Sequence, residues 1–257
     1  MAPFTNAVTD ADLDRFVSDG FLKVEEAFPR ETGDRIRDLL WRQIGLSPDR
    51  PEDWTQPVVW AAPDPAGRGP FGEAMRGPRL TEALDLVAGE GGWVPRGTIG
   101  NMPIRFPHPS DAGDTGWHID QNDPGPADAW GTVTLRSRTM LLLMLLSEVG
   151  PDDAPTRIRV GSHLDTARVL EPHGEQGMEI FASGPVLDEA TAHRPETCAM
   201  GLPGDVYLCH PLLVHAAQPH RGTRPRFMSQ IPLFLTEPLA PGDATPLARA
   251  VRLGLGG

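Results

Sequence analysis

Lysine is almost missing from this sequence: Lys23 is the only one in 257 residues. Lysine chemistry at a reactive site is therefore close to excluded, and any bound anion must be held by arginine or by backbone amides. Positive charge is scarce in general, with 23 basic against 35 acidic residues and a net charge of −12. No basic run offers a phosphate-binding stripe, which argues against nucleic acid and anionic membranes as partners. The two cysteines, Cys198 and Cys209, are too few for a disulfide framework and are not spaced as a zinc pair. A reduced, cytoplasmic protein is the simplest expectation. The first residues lack the basic region and apolar stretch of a secretory signal. The most apolar run, residues 140–146, is too short to span a bilayer.

What is present divides into two textures. Thr9 and an acidic first turn, followed by Leu13, Phe16 and Val17, predict a short helix stopped at Asp19-Gly20. A strand is expected over 21–24, then a helix from Pro29 with Ile36, Leu39, Leu40 and Ile44 as its apolar stripe. Residues 47–72 are crowded with Pro, Gly and Asp around Trp54, Val58, Val59 and Trp60, a lid or a wall over a site. Leu80, Ala83, Leu84 and Val87 mark a third helix. From Trp93 onward, short apolar or alternating runs punctuated by turn residues predict strands at 98–106, 117–120, 138–147, 156–160, 206–209 and 227–235. The class expected is mainly β, a sandwich or barrel with N-terminal helices flanking it. No repeat or linker divides the chain, so one domain over 1–257 is expected; its oligomeric state is not legible.

In a strand over 117–120, period-two alternation places His118 and Asp120 on one face. A second histidine, His215, follows after enough chain for several strands to pass between. Two imidazoles and one carboxylate leave other coordination positions of a metal open, the arrangement of non-haem Fe(II) oxygenases. The His-x-Asp pair is weak alone, because His163-Leu164-Asp165 is another. In the strand after His215, Arg226, Met228 and Gln230 share a face. An arginine turned into a barrel is costly unless it meets an anion, and the far carboxylate of a dicarboxylate chelating the metal would be such an anion.

The set His118-x-Asp120, His215 and Arg226 resembles that of the phytanoyl-CoA dioxygenase family, Fe(II)- and 2-oxoglutarate-dependent oxygenases built on a double-stranded β-helix (a jelly roll, cupin-like). The resemblance extends to Phe16-Val17-Ser18-Asp19-Gly20-Phe21, and to residues 152–163 with their Gly161-Ser162-His163 turn. It covers about residues 10–235 and implies that His118, Asp120 and His215 hold Fe(II). It further implies that Arg226, competing with Arg224, anchors 2-oxoglutarate, with Thr156 a further contact, and that O2 and a small-molecule substrate complete the reaction. His163 falls in the turn, where the family uses a histidine structurally. The sequence departs from the pattern at Ala154 and Val160, both matters of backbone shape, and at Ala217, where some relatives carry a polar side chain. Asp120 supplies a carboxylate where halogenating relatives have a small residue. Hydroxylation of a C–H bond in a small metabolite or natural-product intermediate is the expected reaction. A cupin-like metal-dependent isomerase and a non-catalytic binding jelly roll are the alternatives. Candidate pocket residues are Trp54, Trp60, Asn101, Met102, Arg105, Gln121, Asn122 and Trp130.

Overall fold

The structure is a computed structural model that describes residues 7–123 and 131–257. Helix α1 (Asp10–Asp19) opens with a capping box in which Thr9 accepts from the Asp12 amide and the Asp12 carboxylate takes the Thr9 amide. It ends at Gly20, φ 87°, where a Cβ would stand 2.4 Å from His163 Nδ1. Both the left-handed turn and the close approach demand glycine. Then follow β1 (Phe21–Val24), α2 (Arg30–Ile44), β2 (Val58–Ala61), α3 (Pro70–Met75), α4 (Pro78–Ala88) and β3 (Met102–Arg105). The irregular 47–72 stretch thus contains a strand, part of a helix and a 3-10 turn at Pro51–Asp53.

The second half runs β4 (Thr132–Val133), β5 (Thr139–Leu145), β6 (Thr156–Arg159), α5 (Ser162–Leu170), β7 (Met178–Glu179), α6 (Ile180–Thr191), β8 (Glu196–Ala199), β9 (Val206–Cys209), β10 (His215–Ala216), β11 (Met228–Phe234) and α7 (Pro246–Leu255). Helices α5, α6 and α7 were not foreseen, and more of the described residues are helical than extended. The Gly161-Ser162-His163 turn is the start of α5: Gly161, φ 77°, redirects the chain and the next residues are already helical. The strand expected at 117–120 shrinks to a single bridge between His118 and His215, because the strand that receives it is only two residues long.

A four-stranded antiparallel sheet, in the order β1-β9-β5-β11, faces a three-stranded sheet, β10-β6-β8. Strand β3 joins the β11 edge through single bridges, Asn101 to Gln230 and Arg105 to Arg226. The apolar run in β5 is buried on both faces. Its residues alternate between two cores: Met140, Leu142 and Met144 pack with Phe16, Ile36, Leu40, Leu84 and Val251 of the helices. Leu141, Leu143 and Leu145 pack between the sheets with Ile158, Ala199, Tyr207 and Met228. That is why the run shows no period of its own.

Under the sheet, His163 and His210 lie with ring centroids 5.0 Å apart, both buried. His163 Nε2 is 3.0 Å from the Val17 carbonyl and His210 Nε2 is 3.2 Å from that of Leu247. Burial pushes His163 down from 6.5 to about 4, and burial with the neighbouring His163 holds His210 well below the imidazole range. Folding thus favours the neutral rings while the unfolded chain takes up protons first, so stability is complete above about pH 6.5 and declines as pH falls toward 4. The loss from His163 alone should be on the order of 3 kcal/mol. Denaturant melts across that window should show it, and His163→Gln should make the slope shallower.

Candidate functional site

Strand β6 explains how the site is assembled. Alternation turns Thr156 and Ile158 inward and leaves Arg157 and Arg159 on the other face, where their guanidinium carbons lie 4.5 and 4.2 Å from the centroid of Trp117. Arg157 also donates to the carbonyls of Thr115 (2.8 Å) and Ala217 (3.2 Å), tying the segment before His118 to the segment after His215. Arg159 is anchored in turn to the Asp188 carboxylate at 2.8 Å and the Thr191 hydroxyl at 3.0 Å. One strand thereby clamps both segments that carry the candidate ligands.

The segments meet through two backbone hydrogen bonds, His118 N to His215 O at 3.0 Å and His215 N to His118 O at 2.9 Å. Residues paired in this way project from the same face, and the two imidazole centroids lie 4.6 Å apart. His118 Nδ1 is 2.8 Å from the Gly116 carbonyl and His215 Nδ1 is 3.1 Å from that of Leu213. Each carbonyl requires a proton on Nδ1, which leaves both Nε2 lone pairs free. Those atoms lie 3.9 and 3.8 Å from the two Asp120 oxygens. This is too long for hydrogen bonds and is the spacing at which one ion could sit between the groups; all the donor atoms fall within 4.8 Å of one another. Burial and the nearby His118 hold His215 below the ordinary imidazole range, partly opposed by Asp120, so its neutral form prevails.

From this triad a cavity of about 250 Å³ runs to Arg226, with Thr156, Gln230 and Arg105 on its walls and the exposed Trp60 bordering it. Arg226 is fully buried. It donates to the carbonyls of Ala154 (2.6 Å) and Pro103 (3.4 Å), and its Nε has no partner. Burial, reinforced by Arg105, pushes it down to about 9, still protonated at neutral pH. Arg224 is exposed and pairs with Glu148 instead. Thr156 is buried on the cavity wall. The donor set of two imidazoles and one carboxylate suits non-haem iron, and a buried guanidinium with no carboxylate of its own paired to it suits the second carboxylate of 2-oxoglutarate.

Of the other candidate pocket residues, Trp60 and Arg105 line the cavity. Trp54 packs against Trp41 and Phe106. Asn122 is buried and bonds Thr134 and Ser137. Met102 is core, and Asn101 and Gln121 do not border the cavity. Trp130 lies outside the described residues. Sequence reasoning missed Asp114, which pairs with Arg105, and the clamp on Trp117. The alternating Arg157-x-Arg159 was a visible signal for the clamp; a lone aspartate in a loop was none for Asp114.

The profile of the phytanoyl-CoA dioxygenase family (PhyH) matches residues 81–228, a span that holds His118, Asp120, His215, Arg226, Arg105 and Thr156. The chain belongs to the phytanoyl-CoA dioxygenase family. It is therefore an Fe(II)- and 2-oxoglutarate-dependent oxygenase. No curated protein matches the sequence. Among solved structures the fold is similar to HygX from Streptomyces hygroscopicus with nickel and 2-oxoglutarate bound, at 18% identity and a TM-score of 0.57, covering 90% of this chain and 88% of that one. It is also similar to EctD from S. alaskensis with 2-oxoglutarate and 5-hydroxyectoine (17%, 0.55, covering 90% and 78%). A third is the non-heme alpha ketoglutarate dependent epimerase SnoN from nogalamycin biosynthesis (14%, 0.56, covering 88% and 80%).

Two consequences can be measured. Ala154 has φ 51°, a left-handed conformation that costs a residue with a Cβ about 1 kcal/mol. Ala154→Gly should stabilise the protein by roughly that amount in equilibrium denaturation. Trp117→Leu removes the ring held between two guanidiniums and should weaken Fe(II) binding on the order of tenfold, measured by anaerobic titration, with little change in secondary structure.

Proposed function

We propose that this enzyme oxidises an unactivated C–H bond of a small metabolite or natural-product intermediate, with hydroxylation as the default outcome. His118, Asp120 and His215 are its iron ligands, and Arg226 is the anchor for the far carboxylate of 2-oxoglutarate. The observation that carries this reading is the cavity itself: three ligand groups converge at one end and a buried guanidinium with an unpartnered Nε stands at the other. The two facing sheets are read as the halves of a double-stranded β-helix, with the cavity inside it.

Bound iron supplies the redox chemistry by which O2 and 2-oxoglutarate yield succinate and CO2 while one oxygen atom passes to the substrate. The chain's own residues do the rest. The Gly116 and Leu213 carbonyls fix the ring orientations and tautomers of the two histidines. Arg226 gives the co-substrate a single direction, because its planar fork accepts one carboxylate in two parallel bonds. Asp120 acts as a ligand rather than a base, and its presence disfavours halogenation because no position is left vacant for halide. His215 is buried whereas the side chains of His118 and Asp120 are 39% and 49% exposed, so substrate approaches from the His118 and Asp120 side. The similar structures include an epimerase and a carbocyclase, and both outcomes are within reach of the same C–H chemistry.

Anaerobic protein loaded with Fe(II) should develop a visible charge-transfer band on adding 2-oxoglutarate. His215→Ala should abolish the band, and Arg226→Met should weaken 2-oxoglutarate binding at least about tenfold. Iron binding without any band would instead indicate metal chemistry that uses no co-substrate. Succinate formation across a panel of small molecules then identifies the substrate.

A further inference from the structure

Arg105 and Arg226 stand directly opposite one another, joined by Arg105 N to Arg226 O at 3.0 Å and Arg226 N to Arg105 O at 2.8 Å. Such a pair projects its side chains from the same face, where like charges repel. Both side chains are buried, both line the same cavity, and the Nε of each lacks a partner. Among the described residues the carboxylate paired with them is that of Asp114, which meets the outer nitrogen of Arg105 and is itself partly exposed; Asp120 lines the same cavity beside the two histidines. Two desolvated guanidiniums against one half-exposed carboxylate leave a positive surplus that a bound anion would offset.

We propose that Arg105 is a second guanidinium for the far carboxylate of 2-oxoglutarate, acting beside Arg226, with Asp114 holding the outer edge of Arg105 on the cavity wall. This rests on reading the cavity as the co-substrate site. Two forks on one carboxylate select a 2-oxo acid by its second negative charge more strictly than one arginine does. In this role Arg105 is a co-substrate-binding residue, and Asp114 positions it.

The test compares binding of 2-oxoglutarate with that of 2-oxobutyrate, which has the same chelating end and no far carboxylate. Anaerobic calorimetry on the Fe(II)-loaded protein measures both. Arg105→Met should weaken 2-oxoglutarate binding about ten- to a hundredfold and leave 2-oxobutyrate unchanged. Arg105→Lys should fall between wild type and Met, and serves if the Met variant does not fold. Asp114→Asn should retain most of the affinity. Equal loss for both acids would show that Arg105 merely anchors its loop and would overturn the proposal. Unchanged 2-oxoglutarate binding in Arg105→Met would overturn it as well. Failure of the wild type to bind 2-oxoglutarate at all would sink the underlying reading of the cavity, a result distinct from these.

Discussion

The site depends on two places where remote segments are stitched by a pair of backbone hydrogen bonds: His118 with His215, and Arg105 with Arg226. Neither stitch belongs to a long strand pairing. Each nonetheless imposes the rule of an antiparallel pair, that opposed residues point the same way. The first brings two imidazoles together; the second brings two guanidiniums together. The triad and the cationic pair thus stand on the wall of one cavity, each held there by backbone rather than by side-chain packing alone.

Holding these polar groups inside requires an apolar frame that does not yield. Strand β5 provides it by being buried on both faces, one packed on the helices and the other on the space between the sheets. Strand β11 pairs with β5 along its whole length, from Met228 with Leu145 to Phe234 with Thr139. Arg226 therefore enters the cavity from the chain just before the longest strand pairing among the described residues. The cost of desolvating it is offset in part by two fixed carbonyls, those of Ala154 and Pro103. Ala154 presents its carbonyl to Arg226 from a left-handed conformation, which connects a departure from the family's loop sequence to the setting of the buried arginine.

How much of this was legible in the sequence follows from the same physics. Local signals were strong enough for α1, α2 and α4, where caps and apolar stripes coincide, and for β5, β6, β9 and β11, where turn residues bound short runs. Helices α5 and α6 escaped because the strand texture on either side, and the turn-like glycine at 161, pointed elsewhere. The strand at 117–120 was overestimated: alternation correctly put His118 and Asp120 together, but a two-residue partner strand cannot support a longer pairing. The groups gathered at the triad could be singled out because His-x-Asp, a distant histidine and an inward arginine are rare in combination. Asp114 could not, since its meaning comes only from the three-dimensional position of Arg105.

The two ends of the cavity are built differently, and the difference bears on what each recognises. Arg226, Thr156 and Gln230 come from the two main sheets or their immediate ends, so that end of the cavity has little freedom to vary without disturbing the core. Trp60 comes from the small β2-β3 pair and Asp114 from the loop that precedes His118, and both are substantially exposed. Changes there alter the entrance while leaving the sheet intact.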